Sequence, residues 1–243
     1  MKISLFIPCL VDQFAPDTAQ ATVRILERLG HNVTYNANQT CCGQAPFNAG
    51  FRTKARKLAE RFIDIFKDAE VIVAPSGSCV SMVKKHYAEL DLGNEYLKHW
   101  ENLRDRIWEL TSFLVDCLRL TDVGAQFPHR VSYHASCHLL RDLGIAEQPL
   151  KLLRNVGEID LIEGAWANEC CGFGGVFSVK YRQLSQRIAD RRAGQLASGN
   201  AEYVTGADDS CLLNLREAFS RIGAPQKTLH VAQILASEDG RLR

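Results

Sequence analysis

Nine cysteines in 243 residues, none of them in a Cys-x-x-Cys knuckle, mark where this chain could do chemistry. Eight of them fall into two sets of four in the same order: Cys9, Cys41, Cys42 and Cys79, then Cys137, Cys170, Cys171 and Cys211. The surrounding stretches repeat as well. "QTCCGQAPFNAGF" (39–51) matches "NECCGFGGVFSVKY" (168–181), and "AEVIVAPSGSCVSMV" (69–83) matches "AEYVTGADDSCLLNL" (201–215). In a reducing compartment so many thiols argue for metal binding or redox chemistry rather than structural disulfides. Four converging thiolates suit an iron–sulfur cluster, a zinc ion or a thiol–disulfide couple. Structural zinc usually uses short Cys-x-x-Cys knuckles, and adjacent cysteines such as Cys41 and Cys42 form only a strained disulfide. The spacing therefore favours a cluster and leaves the other two open.

Which elements would bring cysteines so far apart together? A strand over 2–8 runs into Cys9, and an amphipathic helix at about 17–30 is closed by Gly30. A short strand at 32–36 leads to Cys41-Cys42-Gly43. A long helix is expected over 48–67, with Ala55, Leu58, Phe62, Ile65 and Phe66 at helical spacing. "VIVAP" at 71–75 has the unbroken apolar character of a buried parallel strand, and Cys79 follows its turn. The second half repeats the scheme with strands near 130–135, 158–163 and 201–206. Strands alternating with helices predict an α/β fold of two Rossmann-like halves, 1–125 and 126–243, joined near "AQFPHR" and related by a pseudo-twofold axis. In a parallel sheet all strand carboxyl ends share one edge, where open α/β folds bind ligands. Each cysteine lies just past such an end, so four thiols per half converge, and the two cysteine edges should face each other. Helices following Cys42 and Cys171 would aim N–H groups at that edge, while Gly43, Gly172, Gly174 and Gly175 let the backbone come close.

The remaining features exclude more than they suggest. A net charge of +1 gives no reason to expect a nucleic-acid partner. The N-terminus is not a signal peptide and no run approaches 18 apolar residues, so no transmembrane segment and a cytoplasmic location are expected. Cys117 lacks a counterpart in the repeat and reads as an ordinary cysteine of an amphipathic helix in "ELTSFLVDCLRL". His134 and His138 flank Cys137 and stand outside the repeated core, opposite Phe6 and Leu10. They suit either a proton relay or carboxylate contact, or plain strand-end hydrogen bonding. "GFGGVFS" follows cysteines rather than opening a dinucleotide turn, and Arg52, Lys54, Arg56, Lys57 and Arg61 read as a solvated helix face. Residues 84–108, unmatched in the second half, read as a helical excursion that bridges the halves or meets a partner.

Two copies of a Cys…Cys-Cys-Gly…Cys pattern resemble the cysteine-rich CCG domain family, which includes the B subunit of heterodisulfide reductase and the iron–sulfur subunit of glycolate oxidase. "CCGQ", "SGSC", "LTSF", "CCGFGG" and "GAD" followed by "SCLLN" resemble in particular the lactate utilization protein A family. The resemblance implies two tandem CCG domains and an iron–sulfur cluster of the 4Fe–4S type per motif, zinc being the alternative. Its ligands would be Cys9, Cys41, Cys42 and Cys79, and Cys137, Cys170, Cys171 and Cys211. It further implies an electron-transfer subunit of a complex oxidising L-lactate to pyruvate, beside a ferredoxin-like iron–sulfur subunit and a third subunit. Heterodisulfide reductase carries a further cysteine per motif, where this chain has Ser76 and Asp208. That departure weighs against disulfide-reducing chemistry, which stays as a rival beside a zinc-stabilised interaction module. An oxygen ligand from Ser76 or Asp208 is a further option. No tight ferredoxin module is present, so electrons would pass through a separate protein.

Overall fold

The computed structural model describes residues 1–162 and 169–238. Strands Lys2–Leu5 (β1), Asn32–Tyr35 (β2), Val71–Ala74 (β3) and Ile107–Glu109 (β4) form one parallel sheet in the order β2-β1-β3-β4. Strands Arg130–Tyr133 (β5), Asp160–Ile162 (β6), Tyr203–Gly206 (β7) and Lys227–His230 (β8) form a second in the order β6-β5-β7-β8. Register repeats too: Ile3 lies opposite Val33 and Val71, and Val131 opposite Leu161 and Tyr203. The first half carries helices Cys9–Phe14 (α1), Pro16–Arg28 (α2), Gln44–Asn48 (α3), Arg52–Phe66 (α4), Gly77–Lys85 (α5), Asn94–Leu103 (α6) and Leu110–Ser112 (α7). The second carries Glu147–Leu153 (α8), Val176–Lys180 (α9), Arg182–Ala197 (α10), Asp209–Arg221 (α11) and Val231–Leu235 (α12). Wide π-type turns lie at Phe113–Cys117 and His138–Asp142, and a 3-10 turn at His86–Glu89.

The halves interlock reciprocally. α5 packs on the His138–Asp142 turn that follows β5, while α11 packs on α1, which follows β1. α2 packs on α12, and α8 packs on α7 and the Phe113–Cys117 turn. Each element thus meets the counterpart of whatever its own counterpart meets, the pattern of a twofold axis. One apolar cluster runs through both sheets, from Ile3, Leu5 and Val73 by way of Phe113 and Phe127 to Val131 and Leu235. Each fully buried side chain of this size contributes about 1.5–3 kcal/mol. Each half adds a cluster of its own under its longest helix, with Phe6, Phe62 and Phe66 in the first and Ala189, Leu215 and Phe219 in the second. The basic residues of α4 face water, apart from half-buried Arg56 beside Glu60.

Several elements differ from the sequence expectation. The helix expected over 48–67 begins only at Arg52 as α4, and a separate short helix, α3, precedes it, the two parted at Gly50, whose φ of 83° favours glycine. Residues 84–108 touch the second half along a groove in which Lys84, Lys85 and Trp108 stand with Leu143, Ile145 and Gln148. They contain α6, which packs on α4, with Trp100 Nε1 donating to the Val83 carbonyl at 2.7 Å, and they deliver strand β4. The segment around Cys117 is helical without a break over 110–117, α7 passing directly into π-type winding at Phe113. The strand expected at 158–163 is β6, and residue 163 lies outside the described residues. Among the described residues no helix is long and apolar enough to cross a membrane.

Glu109 ends β4 fully buried, its carboxylate accepting from the Thr111 amide and hydroxyl and from the Ser112 amide. Burial outweighs those donors and pushes its pKa up to about 7. The folded chain then holds this proton more tightly than the unfolded one. Its contribution to stability is full below the unfolded value of about 4.3 and is lost as pH rises through about 7. Glu109→Gln should therefore flatten the fall in urea midpoint across that window, and parallel wild-type and variant profiles would contradict the assignment.

Candidate metal centre

The carboxyl ends of the strands place the cysteines. Cys9 is the first residue of α1 and Cys137 stands just before the His138–Asp142 turn. Cys79 and Cys211 both lie in the first turn of their helices, α5 and α11. The Cys41-Cys42 loop is tied to the end of β1 by Gln39, whose Oε1 accepts from the Ile7 amide at 2.7 Å and whose Nε2 donates to the Leu5 carbonyl at 3.0 Å. Tyr87 Oη donates to the Cys42 carbonyl at 2.9 Å and Asn214 Nδ2 to the Cys171 carbonyl at 2.7 Å. Both adjacent pairs are thereby held by their backbones.

Within each set the sulfurs meet. Cys42 and Cys79 lie 3.2 Å apart at Sγ, and Cys171 and Cys211 lie 2.8 Å apart, all four buried. Gly43 and Gly172 adopt φ values of 90° and 79°, which turns their N–H groups onto Cys41 Sγ at 3.3 Å and Cys170 Sγ at 3.2 Å. These amides belong to the turn, and only five-residue α3 and α9 follow it, the longer α4 and α10 coming later. All eight cysteines line a single cavity of about 350 Å³, so the two cysteine edges do face each other.

The electrostatics of each set are shared among its thiols. Cys41 accepts hydrogen bonds from Cys42, Cys9 and the Gly43 and Gln44 amides, which pull its pKa down to about 3. Cys170, accepting from Cys137, Cys171 and the Gly172 amide, is pulled down to about 2. The donors move the other way: hydrogen bonding to Cys41 raises Cys9 and Cys42, and hydrogen bonding to Cys170 raises Cys137 and Cys171, burial adding to each. Each set sheds one proton readily and resists losing the next unless positive charge arrives among the sulfurs. A metal centre supplies that charge, and soft thiolate donors suit iron–sulfur clusters or zinc.

Ser76 and Asp208 turn out to be helix caps. Ser76 Oγ accepts from the Cys79 amide at 3.4 Å. Asp208 Oδ1 accepts from the amide and hydroxyl of Ser210, at 3.2 and 2.5 Å, while its Oδ2 accepts from the Ser78 amide of the other half at 2.8 Å. α5 and α11 thus meet N-terminus to N-terminus with one carboxylate between them, where helix dipoles favour negative charge. Both carboxylate oxygens accept from these donors, and Ser76 and Asp208 both line the cavity. His138 lies between the halves, Nε2 3.3 Å from Gln44 Nε2 and Nδ1 3.7 Å from Cys137 Sγ. His134 is buried, and one of its ring nitrogens and the sulfurs of Cys171 and Cys211 all lie within 4.8 Å of one another. Cys117 packs half-buried against the shared core and does not line the cavity. Gly174 and Gly175 line it beside the cysteines. Sequence reading missed Gln39, Tyr87 and Asn214, whose roles depend on backbone partners; the nearness of Gln39 to Cys41-Cys42 and of Asn214 to Cys211 offered the signal.

Two parallel α/β halves that aim four thiols each into one cavity define a cysteine-rich metal-binding protein. The model of the CCG cysteine-rich domain matches residues 3–84 and again 131–216. Lactate utilization protein A of Geobacillus sp. (strain WCH70) is 41% identical over 237 residues, covering 98% of this chain and 100% of its own. That of Exiguobacterium sp. (strain ATCC BAA-1283 / AT1b) is 42% identical over 236 residues, covering 96% of each. The chain belongs to the CCG cysteine-rich domain family, in its lactate utilization protein A branch. Among solved structures, a putative Asp/Glu racemase from Yersinia pestis matches with a TM-score of 0.37 at 10% identity, covering 97% of this chain and 96% of its own, too loosely to carry an argument.

Gly30 and Gly172 share a φ of 79°, but a Cβ at Gly30 would meet nothing, whereas one at Gly172 would lie 2.6 Å from the Ser185 carbonyl oxygen. Gly30→Ala should cost about 1–2 kcal/mol for the left-handed backbone. Gly172→Ala should cost a further ~1–3 kcal/mol for the clash. Equal losses on urea denaturation would contradict the close approach.

Proposed function

We propose that this chain is an iron–sulfur electron-transfer subunit of an L-lactate-oxidising complex. Cys9, Cys41, Cys42 and Cys79 hold one cluster of the 4Fe–4S type, and Cys137, Cys170, Cys171 and Cys211 hold another. The observation that carries this reading is the gathering of all eight repeated thiols around one cavity, four from each half. Such a cluster supplies one-electron transfer when bound. The chain's own groups prepare for it. Cys41 and Cys170 already favour the thiolate, and the Gly43 and Gly172 amides donate to their sulfurs. Burial of Cys42, Cys79, Cys171 and Cys211 keeps water from the inner side.

The lactate part of the reading is supported by about 41% identity, over nearly the full chain, to proteins called lactate utilization protein A. On this account residues 1–125 and 126–243 act as two cluster domains in the cytoplasm. Electrons are exchanged with a ferredoxin-like iron–sulfur subunit, and a third subunit completes the complex. Deleting the gene in its host should abolish growth on L-lactate and spare growth on pyruvate. Complementation should succeed with Cys117→Ser and fail with Cys171→Ser. Full growth of the deletion strain on L-lactate, with no second lactate dehydrogenase present, would overturn the lactate role. Complementation by Cys171→Ser would overturn the ligand assignment.

A further inference from the structure

The two cysteine sets are alike in their sulfurs and unlike in what stands behind them. In the first half Phe6 follows β1 and Phe62 lies on α4. Their rings meet edge to face with centroids 4.9 Å apart, in the same apolar cluster as Cys42 and Cys79. The second half keeps the framework and changes this pair. Ala55, Ala59, Phe62, Ile63 and Phe66 form the buried face of α4, and Ser185, Ala189, Arg192, Ala193 and Leu196 form that of α10 at identical spacing. The Phe6 amide donates to the Val73 carbonyl at 2.9 Å, and the His134 amide makes the equivalent bond to Thr205 at 2.7 Å. His134 and Arg192 therefore occupy the places of Phe6 and Phe62.

Both replacements are buried, His134 being 1% and Arg192 2% exposed. Arg192 Nε donates to His134 Nδ1 at 3.3 Å. A guanidinium has only donors, so Nδ1 is the acceptor and the hydrogen of the neutral ring sits on Nε2. Nε2 finds no partner among the described residues, although a ring nitrogen of His134 lies within 4.8 Å of the sulfurs of Cys171 and Cys211. An N–H buried without an acceptor is costly unless a bound group accepts from it.

We propose that the His134–Arg192 pair tunes the second site: His134 Nε2–H donates to a sulfur of the cluster held there, and the Arg192 guanidinium stands behind it. This rests on the cluster reading above. Reduction adds one electron and one negative charge to a cluster, with no bond made or broken. Hydrogen bonds to its sulfurs and a buried cation both stabilise that charge. Phe6 and Phe62 offer the first site neither, so the second site is the more readily reduced and an electron entering the protein comes to rest there.

The test is an anaerobic potentiometric titration with dithionite, followed by EPR, on the reconstituted full chain. Cys42→Ser, which leaves only the second site, assigns the signals. Wild type should show two midpoints, the higher at the second site. Arg192→Met should shift the second site's reduction equilibrium at least tenfold toward the oxidised form, about 59 mV for one electron, and leave the first unchanged. Arg192→Lys should restore most of the shift. His134→Phe with Arg192→Phe, which installs the pair the first half already packs, should bring the two midpoints together and guards against misfolding of the single variant. Equal wild-type midpoints, or a second site unmoved by both Arg192→Met and the double variant, would overturn the proposal. Were the sites to take zinc and no iron, the cluster reading would fall while the pair could still be judged. Zinc on four thiolates is more negative than the metal-free set with its single thiolate, so Arg192→Met should then weaken zinc at the second site about tenfold and spare the first. Unchanged zinc affinity would overturn the pair as well, and failure to bind either metal would overturn both proposals.

Discussion

Asp208 holds the molecule at the point where its halves must agree. Its carboxylate caps α11 through Ser210 and reaches across the pseudo-twofold axis to the Ser78 amide of α5. Two positive helix ends would repel each other there, and one buried negative charge reconciles them. Gly77 adds a backbone bond to the Ala207 carbonyl at 3.3 Å beside it. Because Cys79 and Cys211 lie in the first turns of those same helices, this contact also sets where the two buried sulfurs stand. The remaining cysteines follow from sheet geometry, since every one sits past a strand's carboxyl end. The shared apolar core and the reciprocal helix contacts then keep both sets around one cavity.

Charge explains why such a place favours metal over free thiols. Four crowded sulfurs, two of each set buried, resist ionising together, and the turn amides at Gly43 and Gly172 stabilise one thiolate in each set. The next proton leaves only when a cation shares the site. Duplication supplies the same trap twice, and divergence has acted behind it rather than on the ligands. An aromatic pair backs one set, and an imidazole with a buried guanidinium backs the other.

Much of this was legible in the sequence because a repeat constrains itself. The cysteines recur in register, "VIVA" reads as a buried strand, and the parallel halves with facing thiol edges follow from strand ends alone. What was hidden has physical reasons. β4 has three residues and β8 four with a lysine and a histidine, too short and too polar to show a strand period. The break between α3 and α4 turns on one glycine inside an otherwise helical pattern. The capping roles of Ser76 and Asp208 were hidden because their partners are backbone amides that no residue type announces. His134 stood out from the repeat, yet Arg192, 58 residues away, was silent until α10 folded over it.

Each converged set of thiols should hold an iron–sulfur cluster. The direct measurement is iron, acid-labile sulfide and zinc content of anaerobically purified protein, with visible and EPR spectra before and after reduction. Iron with matching sulfide is expected, in a brown protein that bleaches on reduction with an EPR signal that changes with it. A colourless protein containing zinc alone, and staying colourless after cluster reconstitution, would contradict it.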